Sequence, residues 1–200
     1  MASEPIEIVE YRKAWSEEFD GIAATLRAAL GEPALRIDHI GSTSVPDLAS
    51  KDVIDLQITL RSFDDFRSIQ AALETVGFRY RECVDSDHRP LGHARAGELE
   101  ADPDWEKRYF REGTDQRVVH IHIRAAGRAN QQYALLFRDY LRQHTEASAF
   151  YAEIKRCLAE YLGTDRTAYV TVKDPVCDLI IDSAERWASE TGWEPGPSDA

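Results

Sequence analysis

LRIDHIGSTSVPDLASKDVIDLQITL, residues 35–60, is the stretch on which the fold of this chain turns. Two β-like runs, 35–40 and 53–60, flank a turn-rich connection that opens with Gly41-Ser42 and carries Lys51. Side chains alternate across a strand, so Ile54, Leu56, Ile58 and Leu60 face one way while Asp55, Gln57 and Thr59 face the other. The first set builds core. The second is a polar stripe with a carboxylate at its head, and read alone Asp55 is equally a solvated strand residue. A hydroxyl-rich turn that delivers a strand-borne carboxylate is a way to hold a polyphosphate beside a divalent metal. Phosphate chemistry is therefore the first expectation.

Upstream, Trp15, Phe19, Ile22, Leu26 and Leu30 recur at helical spacing, and Gly31 and Pro33 end that helix. Downstream, Ser62 and Asp65 suggest a capping box for a helix whose apolar stripe is Phe63, Phe66, Ile69, Leu73 and Val76, closed by Gly77. A further strand is expected over 78–83, then a long polar loop over 85–104, a length that often marks function. Residues 116–124 return to strict alternation, and three helices follow at about 130–143, 146–162 and 174–190. This order predicts one α+β domain over residues 1–200: a small mixed β-sheet backed by helices, with a helical C-terminal part. The tail, 193–200, is expected to fray.

The later strand, RVVHIHIR, repeats the logic of the first. Val119, Ile121 and Ile123 share one face, and His120, His122 and Arg124 share the other. Two histidines at i, i+2 point the same way, a geometry suited to a metal or a phosphate and equally to an edge strand. If this strand neighbours the Asp55 strand, Asp55, His120 and His122 form one candidate metal site. A purely oxygen-preferring Mg²⁺ would be less at home there than a cation that accepts imidazole.

The turn Gly41, Ser42, Thr43 and Ser44 offers backbone N–H groups and three hydroxyls to an anion; Lys51 follows and His39 precedes on the same rim. Gly-Ser turns are also ordinary linkers. Within WEKRYFREG, Arg108 and Arg111 sit among Trp105, Tyr109 and Phe110, a mixture that could hold phosphates or simply be a solvated amphipathic turn. Phe137, Tyr140, Leu141, Phe150, Ile154, Leu158, Tyr161 and Leu162 read as packing, as do Cys157 and Cys177; Arg138 and Lys173 are within conceivable reach of the site.

The 43% hydrophobic and 30% charged composition suits a globular protein. A net charge of −12 argues against non-specific attachment to nucleic acid or an anionic membrane, though one basic cluster can still bind one nucleotide. No apolar run approaches the ~20 residues of a membrane helix. The opening MASEPIEIVEYRKAW lacks a secretory pattern, and three scattered cysteines form neither a disulfide framework nor a zinc ribbon. A reducing, cytoplasmic location is expected. The sequence is silent on oligomeric state.

These residues carry a resemblance. HIGSTSVPDLASKDVIDLQI resembles the hallmark segment of the GrpB family, read as H-x-GST-x-VPGLAAKPIIDI, and KRYFREG, HIHI and FRDYLRQHTEASAFYAEIKRCLA extend the match over about 8–182. That family is similar to the nucleotidyltransferase superfamily. There a Gly-Ser turn holds a triphosphate, and alternate strand carboxylates bind the metal beside which an oxygen nucleophile attacks the α-phosphorus. Carried over, Gly41 and Ser42 match the turn and Asp55 the first carboxylate. Gln57 occupies the second position and brings no charge, with His120 or His122 as substitutes. Asp47 and Asp52 stand where the family often has Gly and Pro, which suggests that the loop tolerates change. The resemblance implies metal-dependent (Mg²⁺ or Mn²⁺) nucleotidyl transfer from a nucleoside triphosphate to a small-molecule acceptor. In that scheme Asp55 is catalytic, Ser42, Thr43 and Lys51 hold phosphates, and Arg108 or Arg111 offsets pyrophosphate charge. The alternative is a non-catalytic module that binds a nucleotide or a phosphorylated metabolite. A histidine-based hydrolase on a barrel fits the helical C-terminal third poorly.

Overall fold

The structure, a computed structural model, describes residues 5–93, 102–113 and 116–200. Helix α1, Ala14–Leu30, turns Trp15, Phe19, Ala23, Leu26 and Leu30 inward at spacings of three and four. Strands β1, Arg36–Ile40, and β2, Ile54–Leu60, follow. Then come α2, Phe66–Thr75, β3, Phe78–Tyr80, β4, Arg108–Glu112, and β5, Val119–Ala125. The chain closes with α3, Ala129–Gln143, α4, Thr145–Leu162, and α5, Arg166–Thr191. This is the expected α+β architecture: a mixed sheet backed by helices, with a helical C-terminal part.

Among the described residues the five strands lie in the order β1-β2-β5-β4-β3, and of these neighbours only β2 and β5 run parallel. One face of the sheet presents Ile54, Leu56, Ile58, Val119, Ile121, Ile123 and Phe110 to α1 and α2 in a continuous apolar core. The other face carries the polar alternates of β2 and β5, with α3 packing over β1 and β5. Alternation thus sorts one strand pair into a core side and a chemical side.

Several local expectations need correction. Strand β4 was not foreseen, because a five-residue run with only Phe110 fully buried has too little alternation to read. The capping box does not form: the Ser62 hydroxyl bonds Asp64, and Asp65 caps nothing with its side chain. Helix α5 begins eight residues before 174, because Asp165 caps it by accepting from the Ala168 N–H at 2.9 Å and Pro175 is accommodated inside. On α4, Phe150, Tyr161 and Cys157 are exposed rather than packed. The expected loop over 85–104 falls partly outside the described residues, at 94–101. Its two ends are zipped by a bridge between Ser86 and Glu106 and by Asp87 N–H donating to Trp105 O at 2.9 Å. The tail expected to fray lies along β1, where Ala200 N–H reaches Ile37 O at 3.1 Å and the Asp199 carboxylate accepts from His39 N–H at 2.9 Å.

Candidate metal and phosphate site

The parallel pairing of β2 with β5 sets Asp55 opposite His120 and Gln57 opposite His122. The neighbourhood on which the metal reading depended therefore exists. Asp55 Oδ1 lies 3.0 Å from His120 Nδ1 and 3.7 Å from His122 Nε2. One ligand atom from each of the three residues falls within 4.8 Å of the others. Burial alone would raise the Asp55 carboxyl, but the two histidines hold it well below the usual carboxylate range. Burial pushes His122 down to about 4, so at neutral pH its imidazole is uncharged, the form that ligates a metal. One carboxylate and two imidazoles suit a cation of mixed nitrogen and oxygen preference, Mn²⁺ better than Mg²⁺.

Gly41 lets the turn close onto this cluster. Its φ is 70°, and a Cβ built there would stand 2.7 Å from Asp55 Oδ2, so a side chain is excluded twice over. The residues after it form a short 3₁₀ turn, Ser42–Ser44, pinned from α3 by Arg142, whose guanidinium donates to Ser44 O at 2.8 and 3.0 Å. Beside the turn a cavity of about 230 Å³ is walled by Gly41, Ser42, Asp55 and three lysines, Lys51, Lys155 and Lys173. Lys155 Nζ donates to Ser42 Oγ at 3.0 Å and to Ala49 O at 2.6 Å. Burial, with Lys173 and Lys51 nearby, pushes Lys155 down to about 7.

Not every candidate converges. Asp55, His120, His122, Gly41, Ser42 and Lys51 come together, and Arg111 pairs with His120 across β4 and β5. His39 and Arg108 do not. His39 is turned to the α1 side, where its ring stacks on Phe19 at 4.7 Å and burial pushes it down to about 4. Its Nε2 lies 3.1 Å from Thr43 Oγ1, which itself donates to Val53 O at 3.0 Å, so the imidazole is the donor and both side chains are spent on holding the turn. Ser44 Oγ donates to Gly41 O at 2.6 Å. Arg108 shares the face of Phe110 and lies over the rings of Phe63 and Phe66, with Glu106 as its ion partner. Alternation accounts for both departures: Arg108 is an odd step from Arg111, and His39 is paired across the ladder with core-facing Leu56 rather than with Asp55 or Gln57. Arg138, buried in α3, donates to His39 O and to Asp199 and anchors β1.

Two residues escaped the sequence reading. Lys155 looked like an ordinary polar position on α4, and nothing local marks it. Asp87 lay in the long loop. It is half of a buried network: Arg124 reaches both its oxygens at 2.8 and 3.0 Å, Lys107 donates at 2.8 Å and Asn130 at 3.1 Å. Arg124 also donates to Gln57 Oε1 at 2.6 Å, and Gln57 Nε2 donates to Gln131 O at 3.1 Å. Both ends of the Gln57 amide are thereby committed. Burial would raise Asp87, yet Arg124 and Lys107 hold it well below the usual carboxylate range.

The family model described as GrpB protein matches residues 5–183. This chain belongs to the GrpB family. The conserved protein GrpB from Enterococcus faecalis superposes on 94% of this chain and all of its own, with a TM-score of 0.70 and 29% identity. UPF0157 protein BH1888 of Halalkalibacterium halodurans is 31% identical over 180 residues, covering 90% of this chain and 82% of that protein. A protein named dephospho-CoA kinase from Mycolicibacterium paratuberculosis is 34% identical over 202 residues, 98% of this chain and 50% of that protein. This GrpB chain thus spans about half the length of the mycobacterial relatives it matches. Among the described residues, no helix is long and apolar enough to cross a membrane.

Proposed function

We propose that this GrpB chain binds a nucleoside triphosphate and, with a divalent cation, transfers its nucleotidyl group to a small-molecule acceptor. One observation carries the reading: a strand-borne Asp55 with two histidines in ligand range adjoins a lysine-walled cavity at a Gly-Ser turn. Asp55, His120 and His122 would hold the cation, Mn²⁺ or Mg²⁺, which when bound offsets phosphate charge and polarises the α-phosphate. Ser42, Lys51, Lys155 and Lys173 hold the outer phosphates. The acceptor oxygen bonds to the α-phosphorus as its bond to the bridging oxygen breaks. The acceptor's proton passes to water, and the charge of the departing pyrophosphate is met by the lysines. Dephospho-CoA phosphorylation is not carried over from the mycobacterial relatives, since half of each lies outside the match and this sequence has no G-x-x-x-x-G-K-[ST] loop.

The test is a thermal-shift comparison of wild type and Asp55→Asn with nucleoside triphosphates in Mn²⁺, Mg²⁺ or chelator, followed by assay of pyrophosphate release. A cation-dependent stabilisation lost in Asp55→Asn, with metal affinity down by at least about 10–100-fold, is expected. Unchanged pyrophosphate release in that variant sinks the proposal. The committed amide of Gln57 favours a second reading, a nucleotide-binding module without turnover, because the second carboxylate of a two-metal site is missing. Nucleotide affinity that survives chelation, with no pyrophosphate formed, would select it.

A further inference from the structure

A second cavity, of about 270 Å³, has Gly41, Asp55 and Lys173 in its wall in common with the lysine cavity. The rest of its lining is of another kind. Trp105, Tyr133 and Phe137 make it aromatic, with Trp105 edge-on to Tyr133 at 5.9 Å and Tyr133 stacked on Phe137 at 6.0 Å. Its volume is just under the range of small-molecule pockets, roughly 300–1,000 Å³, which leaves room for one ring system.

Much of the polar part of this wall is already committed within the protein. Arg124 is spent on Asp87 and Gln57, and Asp87 accepts from Arg124, Lys107 and Asn130. Two atoms are left over: Asn130 Oδ1 and His122 Nδ1 are buried with no partner among the described residues, and both residues line the cavity. The orientation of Asn130, 1% exposed, follows from its surroundings. Its amide nitrogen lies 3.1 Å from Asp87 Oδ2 and 2.9 Å from Glu106 O, both acceptors, so both hydrogens are used and the carbonyl oxygen must be the free end. A buried acceptor without a donor is costly, and a ligand N–H would relieve it. Asp174 in the wall opposes a second phosphate here.

We propose that this cavity is the nucleobase subsite: a flat heteroaromatic ring lies among Trp105, Tyr133 and Phe137 and donates an N–H to Asn130 Oδ1. The assignment rests on the lysine cavity taking the phosphates, since the shared wall at Asp55 places the two parts of one nucleotide on either hand of the candidate metal. Lying in the wall itself, Trp105 supplies a direct signal.

The experiment titrates the full chain with nucleoside triphosphates, free nucleosides and inorganic triphosphate, reading tryptophan fluorescence and calorimetric affinity, with Trp105→Phe as the signal control. Nucleosides and their triphosphates should quench wild type and not Trp105→Phe, whereas inorganic triphosphate should leave the emission unchanged. Tyr133→Ala should weaken nucleoside triphosphate binding about 10-fold, the scale of one lost stacking contact, and leave inorganic triphosphate binding as it was. Asn130→Leu should do the same; if it fails to fold, Tyr133→Ala and the quench decide alone. Equal affinity for nucleoside triphosphate and inorganic triphosphate, without a Trp105 signal, overturns the subsite. Nucleosides that quench while inorganic triphosphate does not bind would keep the ring site and remove the phosphate reading instead.

Discussion

Asp55 and Gln57 stand two residues apart on the same face of β2 and live in opposite circumstances. Among the described residues, Asp55 has polar contact with the two histidines alone; it is partly open to solvent and lies in the wall of two cavities. Gln57 is fully buried, and Arg124 and Gln131 occupy both ends of its amide. The first residue has spare capacity to bind something; the second is buried and held at both ends of its amide. Strand pattern alone makes them equivalent, so the difference shows that a polar stripe can hold a reactive position and a structural one side by side.

The largest effect should come from the locked side. Asp87→Ala leaves Arg124 and Lys107 buried without their counter-charge, and should cost about 3–5 kcal/mol in denaturant unfolding while metal affinity changes little. Equal stability of wild type and variant would break the contrast.

Next is His39, across the sheet. Its burial as a neutral ring, with the pKa lowered from the ordinary value of about 6.5 to about 4, means that the unfolded chain binds more protons between those values. Stability should therefore rise with pH through this window and flatten above it. The His39 share approaches about 3 kcal/mol, from 1.36 kcal/mol per unit. His39→Gln should lower that slope without altering nucleotide affinity, measured by unfolding at several pH values. A variant that keeps the slope and loses nucleotide would return His39 to the phosphate rim.

On the open side, Gly41→Ala drives a methyl group to 2.7 Å from Asp55 Oδ2 at a φ of 70°. It should cost about 1–2 kcal/mol of stability and weaken Mn²⁺ binding by calorimetry; wild-type affinity would show that the close approach is dispensable. The smallest effect belongs to Asp47, whose φ of 63° is left-handed at a position where the family pattern has Gly. Asp47→Gly should raise stability by about 0.5–1 kcal/mol, read as a small increase in Tm. Asp52, the other departure from that pattern, is no idle substitution: Arg12, Trp15 and Arg117 all donate to it at 2.5–2.8 Å.

Much of the candidate site was legible because it depends on local rules. The i, i+2 spacing put His120 and His122 on one face, and alternation put Asp55 on another strand's polar stripe. The misreadings followed from adjacency along the chain. His39 precedes the turn and Arg108 lies near Arg111, yet each sits on the far side of the sheet by the same alternation. Lys155 and Asp87 carry no local mark. Their significance comes from contacts with residues 113 and 37 positions away, Ser42 and Arg124.

The sequence by itself determined the helices, the two alternating strands and the chemical character of their faces, because side-chain periodicity is a property of a few consecutive residues. Only the tertiary structure decided that β2 and β5 are neighbours, that Gln57 is locked, and that three lysines and three aromatic rings line two cavities with Asp55 in the wall of each. Strand pairing and the burial of charge are long-range events, settled by which distant groups can satisfy one another once water is excluded.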